Sequence, residues 1–474
     1  MSLKLLGKQS LIYGAGHVAA RGVTFLLLPL YTNVFSLEDY GIISLIYTFL
    51  GFMSVILHYG LDASLLKHYV PAGREDRKTI LSNAYFSFIL TTTLFFIILV
   101  VFRNGISEIL FGSSLSNITT MVAGILFFDV LWSIHVLLLR AEGRPIYFNI
   151  ISILNVLLTL ILNILFVVQL KLGIYGVLLG NLIASGCIFF ITLPIILKRS
   201  SIKSLSPKYW KKMMKFGVPF LPAGIFSMIL ELSDRYILRY LTDIETVGLY
   251  NAGYKLGLLI LLIVMGFNMA WQPYFLKKKM EERKYIADVT TLFLAVLGFL
   301  WILLLLWSET MVKMKFGDFS FFGEQYWEAA SIVPIIGLAY VFHAGYLIQL
   351  PGVYLLEKTG WIPWVRGLGA LSNIILNFLF IPEYGITGAA SATCLSFMLM
   401  AVIFYFINRS IFPILYQWRK LGIIIFTIGV IVLFHFNFVL VSNEKIVVCV
   451  FYPIILTLTK VVRWEQFKFL IKNR

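Results

Sequence analysis

The segment QSLIYGAGHVAARGVTFLLLPLYTNVF, residues Gln9 to Phe35, is mainly apolar and carries an arginine, Arg21, near its middle. About 20 apolar residues cross the hydrocarbon core of a bilayer, so this segment predicts a transmembrane helix. A charged side chain at the centre of such a helix costs about 2.5 to 3.5 kcal/mol on insertion scales, and it normally faces protein or water. Arg21 is therefore a candidate functional residue, with a structural arginine bonded to neighbouring helix carbonyls as the alternative.

The polar residues of this segment share one side of the predicted helix. Tyr13, His17 and Arg21 follow one another at four-residue intervals, and Thr24 lies on the same face. Residues spaced three or four apart are neighbours on a helix surface. The pattern predicts a polar stripe on which His17 and Arg21 could contact a substrate together.

The composition of the whole chain is that of a membrane protein. Of its 474 residues, 60% are hydrophobic and only 13% are charged, with a mean hydropathy of +0.90. Soluble domains have about 45–50% apolar and about 25% charged residues. Three cysteines, Cys187, Cys394 and Cys449, lie singly in apolar segments, which favours neither a disulfide framework nor a metal site. We therefore expect an all-α polytopic membrane protein with no metal centre.

Apolar windows of about 20 residues, bounded by charged or Gly/Pro-rich interruptions, predict about 14 transmembrane helices. The predicted spans are roughly 9–33, 40–64, 79–102, 118–139, 146–169, 174–197, 214–240, 247–275, 285–307, 327–354, 361–381, 386–408, 421–441 and 445–461. Most of the 39 basic residues fall in alternate loops, on the side that also holds Lys4 and Lys8. The positive-inside rule then predicts that both termini are cytoplasmic. The net charge of +16 is explained by topology, so we expect no nucleic-acid partner.

Two pairs of similar segments indicate an internal repeat. VFSLEDYG (34–41) matches YLTDIETVG (240–248), and ILNILFVVQLKLGIYG (161–176) matches ILNFLFIPEYGITG (375–388). Copies of six spans each keep the same orientation, which is the parallel-repeat plan of many transporters. The sequence predicts two pseudo-symmetric six-helix lobes followed by two extra helices, with the boundaries 1–200, 201–412 and 413–474. The basic linker 198–215 between the lobes has two interpretations. It is either a segment that lies on the anionic cytoplasmic leaflet or an ordinary cytoplasmic loop.

Acidic residues inside the predicted spans are the candidates for ion coupling. Asp129 is the deepest of them, and Asp62 and Glu231 are the others considered. A lone carboxylate at this depth can bind Na⁺ or a proton, or it can be the static counter-ion of Arg21. Glu231 and Arg235 are spaced to pair on one helix, which is the structural alternative for both. No catalytic triad or metal-ligand spacing accompanies these residues, so we expect no enzymatic activity.

Three stretches resemble a known family. They are QSLIYGAGHVAARGVTFLLLPLYTNVFSLEDYGIISLIYTFLG, LELSDRYILRYLTDIETVGLYNAGYKLG with MAWQPYFL, and WIPWVRGLGALSNIILNFLFIPEYGITGAASAT. They are similar to the bacterial Wzx-type polysaccharide and O-antigen flippases of the multidrug/oligosaccharidyl-lipid/polysaccharide (MOP) superfamily, which includes the MATE transporters. The resemblance implies two lobes facing a central cavity, no ATPase, and cavity arginines that meet a lipid pyrophosphate. It assigns that role to Arg21, followed by Arg235 and Lys255.

These observations together predict a flippase for a polyisoprenyl-pyrophosphate-linked oligosaccharide, working by alternating access in the bacterial cytoplasmic membrane. We expect no cofactor, with Na⁺ or a proton as the coupling ion. Membrane lipids and other polysaccharide-assembly proteins are the expected partners. The alternatives are a lipid II flippase, a MATE-type drug or cation antiporter, and, from another class, a membrane glycosyltransferase or polymerase. An antiporter for cationic drugs would favour an acidic cavity, whereas Arg21, Arg235 and Lys255 favour an anion.

Overall fold

The computed structural model describes residues 25–111, 115–277, 283–317, 319–356, 358–438 and 441–462. These residues are almost entirely helical, and their only strands form a two-stranded antiparallel ribbon, β1 (Lys315–Phe316) and β2 (Phe319–Ser320). The prediction of an all-α membrane protein is thereby confirmed. The chain divides into two compact units, residues 1–251 and residues 252–474. The lobe boundaries derived from the sequence stay a prediction.

The first unit is a bundle of long apolar helices joined by short helical turns. A π-helix, Ile164–Gln169, extends α7, and α6 packs along α4 and α8. Its helices are α1 (Leu27–Val34), α2 (Leu37–His58), α3 (Leu61–Tyr69), α4 (Arg74–Val101), α5 (Arg103–Phe111), α6 (Ser116–Ala141), α7 (Pro145–Asn163), α8 (Gly173–Leu197), α9 (Pro207–Gly217), α10 (Leu221–Leu241) and the first part of α11 (Ile244–Gly257).

The second unit is built around α14, which packs along α12, α13 and α16, while the last two helices pack on α13. A 3₁₀-helix, Glu324–Ile332, leads directly into α14. The helices of this unit are α12 (Leu259–Lys277), α13 (Arg283–Val312), α14 (Val333–Leu347), α15 (Pro351–Leu355), α16 (Trp361–Ile411), α17 (Trp418–Asn437) and α18 (Ser442–Leu458).

Ten described helices are long and apolar enough to cross a membrane, or up to 11 when the bent pair α11 and α12 counts as one span. The predicted count of 14 is not confirmed. Part of the difference comes from α16, whose 51 residues are interrupted at Gly385 by a φ of 54° and a ψ of −128°. A straight helix of that length would be about 75 Å long, more than twice the hydrocarbon thickness of about 30 Å. The first predicted span, 9–33, lies mostly outside the described residues.

Local sequence signals account for where α2 begins and ends. Ser36 caps α2, because its hydroxyl accepts a hydrogen bond from the amide of Asp39 at 3.1 Å. Two acidic residues in the first turn also suit the positive end of the helix dipole. The helix ends where Tyr59 and Gly60 adopt left-handed backbone angles, which releases the chain into α3.

The two copies of the Ile-Leu-Asn motif form the same kind of helical hairpin within their own units. A Cβ on Gly176 would lie 3.0 Å from the carbonyl oxygen of Phe166, and a Cβ on Gly388 would lie 2.4 Å from that of Phe380. In each copy the phenylalanine follows the motif asparagine by three residues. The repeated glycine therefore allows the returning helix to approach the carbonyl of the preceding one.

The basic linker contains a helix, α9, that packs on α3 and α4. Met213 is fully buried, and its carbonyl accepts a hydrogen bond from the Ser64 hydroxyl at 2.9 Å. Tyr209 donates to Asp76 at 2.6 Å, and Trp210 donates to the Ser87 hydroxyl at 3.0 Å, both on α4. One face of the linker helix is thus fixed to the first unit, and the lysines of α9 lie on its outer surface.

Candidate functional site

Asp129 lies at the centre of a polar cluster between α6 and α8. Ser185 of α8 donates to Asp129 Oδ1 at 2.6 Å, and Trp132 of α6 donates to the same oxygen at 2.9 Å. In the described part of the chain, the second oxygen, Oδ2, has no hydrogen-bond donor. One oxygen is therefore held in place by two donors, and the other is available to a proton or a small cation.

Uncharged polar groups extend this cluster from α8 to α2. Asn181, one helical turn before Ser185, donates to the hydroxyl of Tyr47 at 3.4 Å. Nearby, Tyr31 of α1 donates to the Asn163 side chain at 2.7 Å. Hydroxyl and amide oxygens are ligands that hard cations such as Na⁺ prefer. The interior of the first unit thus contains a chain of oxygen-bearing side chains across several helices.

A histidine completes the surroundings of Asp129. His58, at the end of α2, contacts the Ser133 hydroxyl at 2.8 Å and the carbonyl of Ser54 at 2.6 Å. It is close enough to Asp129 to interact with it electrostatically. The hydroxyl of Ser133 is in turn bonded to the carbonyl of Val130 in the turn of α6 that follows Asp129. The cluster therefore combines a carboxylate with a group that can carry a proton.

Arg235, a predicted substrate ligand, lies buried on α10 in an ion pair with its neighbour in sequence. Its Nη1 donates to Asp234 Oδ1 at 2.6 Å and to the carbonyl of Glu231. Tyr250 of α11 donates to the other oxygen of Asp234 at 2.5 Å, and the guanidinium lies 5.5 Å from the Tyr250 ring. The residues of the ion pair are only 3% and 1% exposed. In this conformation Asp234 bonds Arg235 of α10 and Tyr250 of α11, so the pair joins the two helices.

In the described ranges, none of the other predicted site residues shares a hydrogen bond or ion pair with Asp129. Asp62 is half-buried in the first turn of α3, where the helix dipole favours an acid. Glu231 is half-buried on α10, one turn before Arg235. Lys255 is half-buried in the last turn of α11, just before the chain bends by 44° into α12. Arg21 and His17 lie outside the described residues.

Sequence reasoning missed most partners of these charged residues. Asn181 and Ser185 belong to the stretch GVLLGNLIASG, whose many small residues indicate close helix packing and draw attention away from these two polar side chains. Their four-residue spacing places both on one helical face, and this was the signal available. For Arg235 the four-residue spacing indicates Glu231 as a partner, whereas the ion pair with the adjacent Asp234 follows from no helical spacing rule.

Comparisons with known proteins agree with this fold. A model of the family described as "Polysaccharide biosynthesis protein" matches residues 6–279. A Haemophilus influenzae protein named for the Lsg locus is 22% identical over 396 residues, covering 81% of this chain and 95% of its own length. An uncharacterized membrane protein of Methanocaldococcus jannaschii is 20% identical over 426 residues, covering 83% of this chain and 82% of its own length.

Solved structures give the same fold class. The lipid II flippase MurJ, in an inward closed conformation, superimposes with a TM-score of 0.75 at 17% identity, covering 94% of this chain and 97% of its own. A multidrug resistance MATE family transporter of the MOP superfamily, in an inward-facing conformation, superimposes with a TM-score of 0.61 at 12% identity. The match covers 86% of this chain and 94% of the transporter. These neighbours are a flippase and a transporter, not enzymes, as expected from the sequence. The chain is a multi-pass membrane protein with a MurJ/MATE-like fold, and it belongs to the polysaccharide biosynthesis protein family.

Proposed function

We propose that this protein is a flippase that moves a polyisoprenyl-pyrophosphate-linked oligosaccharide across the bacterial cytoplasmic membrane during surface polysaccharide synthesis. The observation that carries the proposal is the family match over residues 6–279, combined with the fold of a lipid-linked substrate flippase. The membrane supplies the lipid-linked oligosaccharide, and other polysaccharide-assembly proteins act before and after the flip. The charge asymmetry of the loops supports cytoplasmic termini.

Basic residues within the spans are the candidates for holding the pyrophosphate. Arg21 and His17 on the first predicted helix, with Arg235 and Lys255 in the following repeat, would offer charge-assisted hydrogen bonds to phosphate oxygens. Such bonds gain strength in a low-dielectric cavity. Arg235 would leave Asp234 when it binds, which links substrate binding to the contact between α10 and α11.

Transport would be driven by a cation gradient, because the sequence has no nucleotide-binding loop of the G-x-x-x-x-G-K-[ST] type. Asp129 is the favoured coupling residue, with Asp62 and Glu231 as further candidates. The open Oδ2 of Asp129 and the hydroxyl and amide oxygens around it suit Na⁺ or a proton. Binding of the ion in one conformation only would shift the alternating-access equilibrium.

A lipid II flippase is the second candidate function, favoured by the TM-score of 0.75 with MurJ against 0.61 for the MATE transporter. Both lipids carry a polyisoprenyl pyrophosphate, so the same cationic residues would serve either substrate. The two functions differ in the sugar that the cavity accepts and in whether the cell requires the protein for wall synthesis.

Deletion of the gene in its bacterial host tests the proposal. A flippase for a surface polysaccharide predicts viable cells that lose the polysaccharide and accumulate its lipid-linked precursor in the inner leaflet, and plasmid-borne protein should restore both. Leaflet sidedness is measured by adding an impermeant sugar-oxidising reagent to spheroplasts and to inverted vesicles. Precursor that accumulates in the outer leaflet would contradict the proposal, and lysis with accumulated lipid II would favour the second candidate.

A further inference from the structure

A cavity of about 560 Å³ opens where four helix ends of the first unit meet. Its walls come from the end of α3, the first turn of α4, the end of α6 and the end of α8. The loops that carry these residues are cytoplasmic in the predicted topology. No residue of the Asp129 cluster contributes to it, so it is a separate feature of the unit.

The lining of this cavity is strongly basic. Two carboxylates, Glu75 and Glu142, face five cationic side chains, which leaves a formal excess of three positive charges. The cationic residues are Arg74, Arg77, Lys78, Lys198 and Arg199. A volume of this size is within the range of about 300–1,000 Å³ found for small-molecule sites.

Two of the arginines are held in fixed positions. Arg77 donates through Nε to the carbonyl of Tyr69 at 3.2 Å and through Nη2 to that of Val70 at 3.0 Å, which covers the end of α3. Arg199 lies 3.3 Å from Glu142, which also accepts a hydrogen bond from the Tyr69 hydroxyl at 3.2 Å. Burial and the Glu142 carboxylate raise the pKa of Tyr69, so this hydroxyl stays a donor. The side chains of Arg77 and Arg199 are therefore held in position by protein contacts.

The remaining positive groups lack acceptors. Within the described ranges, the side chains of Arg74, Lys78 and Lys198 make no hydrogen bond or ion pair. Arg199 Nη1 is buried, and it too has no hydrogen-bond partner there. The N-cap of α4 is Gly73, which offers no side-chain acceptor to the first-turn amides of this 28-residue helix. The positive-inside rule explains the sign of these charges but not their convergence on one cavity or the buried, unbonded donor.

From this arrangement we propose that the cavity between α3, α4, α6 and α8 binds a phosphate group, either the head group of an anionic membrane phospholipid or a soluble phosphate compound. A phosphate has several oxygens and can accept from Lys78 and Lys198 together, and the Arg199 guanidinium adds a positive charge at the wall of the cavity. In the predicted topology the cavity lies at the cytoplasmic ends of the helices. Lipid head groups and soluble phosphate compounds can both reach it there. The proposal concerns a site separate from the Asp129 cluster and does not depend on the transported substrate.

The test uses the purified full-length protein and its thermal unfolding midpoint, because a ligand that binds the folded state raises that midpoint. One arm compares nanodiscs of phosphatidylcholine with nanodiscs that also contain phosphatidylglycerol. The other arm titrates inorganic pyrophosphate into phosphatidylcholine nanodiscs at constant ionic strength. The test variant is Lys78→Gln/Lys198→Gln, and the control is Lys203→Gln/Lys208→Gln, two exposed lysines on the same predicted side that do not line the cavity. All four positions are exposed, so both variants should fold.

We expect the wild type and the control variant to be stabilised by a few degrees, and the test variant to require roughly tenfold more ligand for the same shift. Stabilisation by phosphatidylglycerol alone identifies a lipid head group, and stabilisation by pyrophosphate identifies a soluble ligand. The proposal would be overturned if the test and control variants lost the ligand-induced stabilisation to the same extent. It would also be overturned if the wild type were stabilised in neither arm. Because the readout is binding, a failed flippase assay leaves this result unaffected.

Discussion

Gly41 and Gly248 pack reciprocally against the first turns of each other's helices. A Cβ on Gly41 would lie 2.1 Å from the carbonyl oxygen of Ile244, and a Cβ on Gly248 would lie 2.1 Å from that of Leu37. Leu37 and Ile244 are 207 positions apart (244 − 37), as are the two glycines (248 − 41). The contact between α2 and α11 therefore pairs equivalent residues of the two predicted repeats, at the end predicted to face outward.

Replacing Gly248 by leucine should disrupt this contact, because the new side chain would occupy the position of the Leu37 carbonyl. Overpacking of this kind costs about 1–3 kcal/mol. We expect a lower thermal unfolding midpoint in detergent and reduced surface polysaccharide at normal abundance. Gly429→Leu is the matched control, because a Cβ there meets no atom within 4 Å. If both variants behave alike, the glycine contact has no part in transport.

Asp129→Asn should remove gradient-dependent transport while leaving substrate binding intact. The carboxylate charge is lost, but an amide can keep the position of the side chain between Ser185 and Trp132. Coupling between two sites typically changes the affinity at one of them about 5- to 150-fold. We therefore expect the stimulation of transport by a Na⁺ or proton gradient in vesicles to fall by at least roughly fivefold. Ser185→Ala removes one donor and keeps the charge, so it should retain most of the stimulation. Full gradient dependence in Asp129→Asn would make Asp129 a structural residue.

The sequence was sufficient for the fold class but not for the polar contacts. Hydropathy identified most apolar helices, because the bilayer requires each span to be long, apolar and internally hydrogen-bonded. Helix breaks were harder to predict, since the bend between α11 and α12 carries no proline at the break, only Leu258 after Gly257. Contacts such as Asn181 with Tyr47 join residues far apart in sequence. Periodicity shows which residues share a face, but it does not show which helix that face meets.

The membrane topology makes a separate prediction. Lys277 to Lys279 should be cytoplasmic and Glu324 external, because the distribution of basic residues fixes each loop once one is assigned. A cysteine at position 324 should react with an impermeant maleimide in intact cells, and a cysteine at 278 should react only after permeabilisation. Glu324 is exposed beside Lys315 at 3.0 Å, so the substitution should be tolerated. Labelling of 278 but not 324 in intact cells would contradict the assigned orientation.

The Asp234–Arg235 pair should behave as a coupled unit in a double-mutant cycle. Removing one partner of a buried ion pair leaves an uncompensated charge and costs roughly 3–5 kcal/mol. We expect Asp234→Ala and Arg235→Ala each to lower the free energy of unfolding strongly, and the double variant to lower it by less than the sum. Tyr250→Phe removes only the hydroxyl that donates to Asp234 and should have a smaller effect. Strictly additive losses would contradict the pairing.

Arg21 provides the sharpest test of substrate recognition, because a mid-span arginine on a polar helical face is costly to insert. Arg21→Ala should abolish surface polysaccharide while the protein inserts at normal abundance. Arg21→Lys should restore it only in part, since a guanidinium presents a planar fork to phosphate oxygens and an ammonium presents a point charge. Arg103→Ala, at an exposed position in α5, is the control and should export normally. Normal export by Arg21→Ala would exclude the pyrophosphate role and leave Arg235 and Lys255 as the next positions to test.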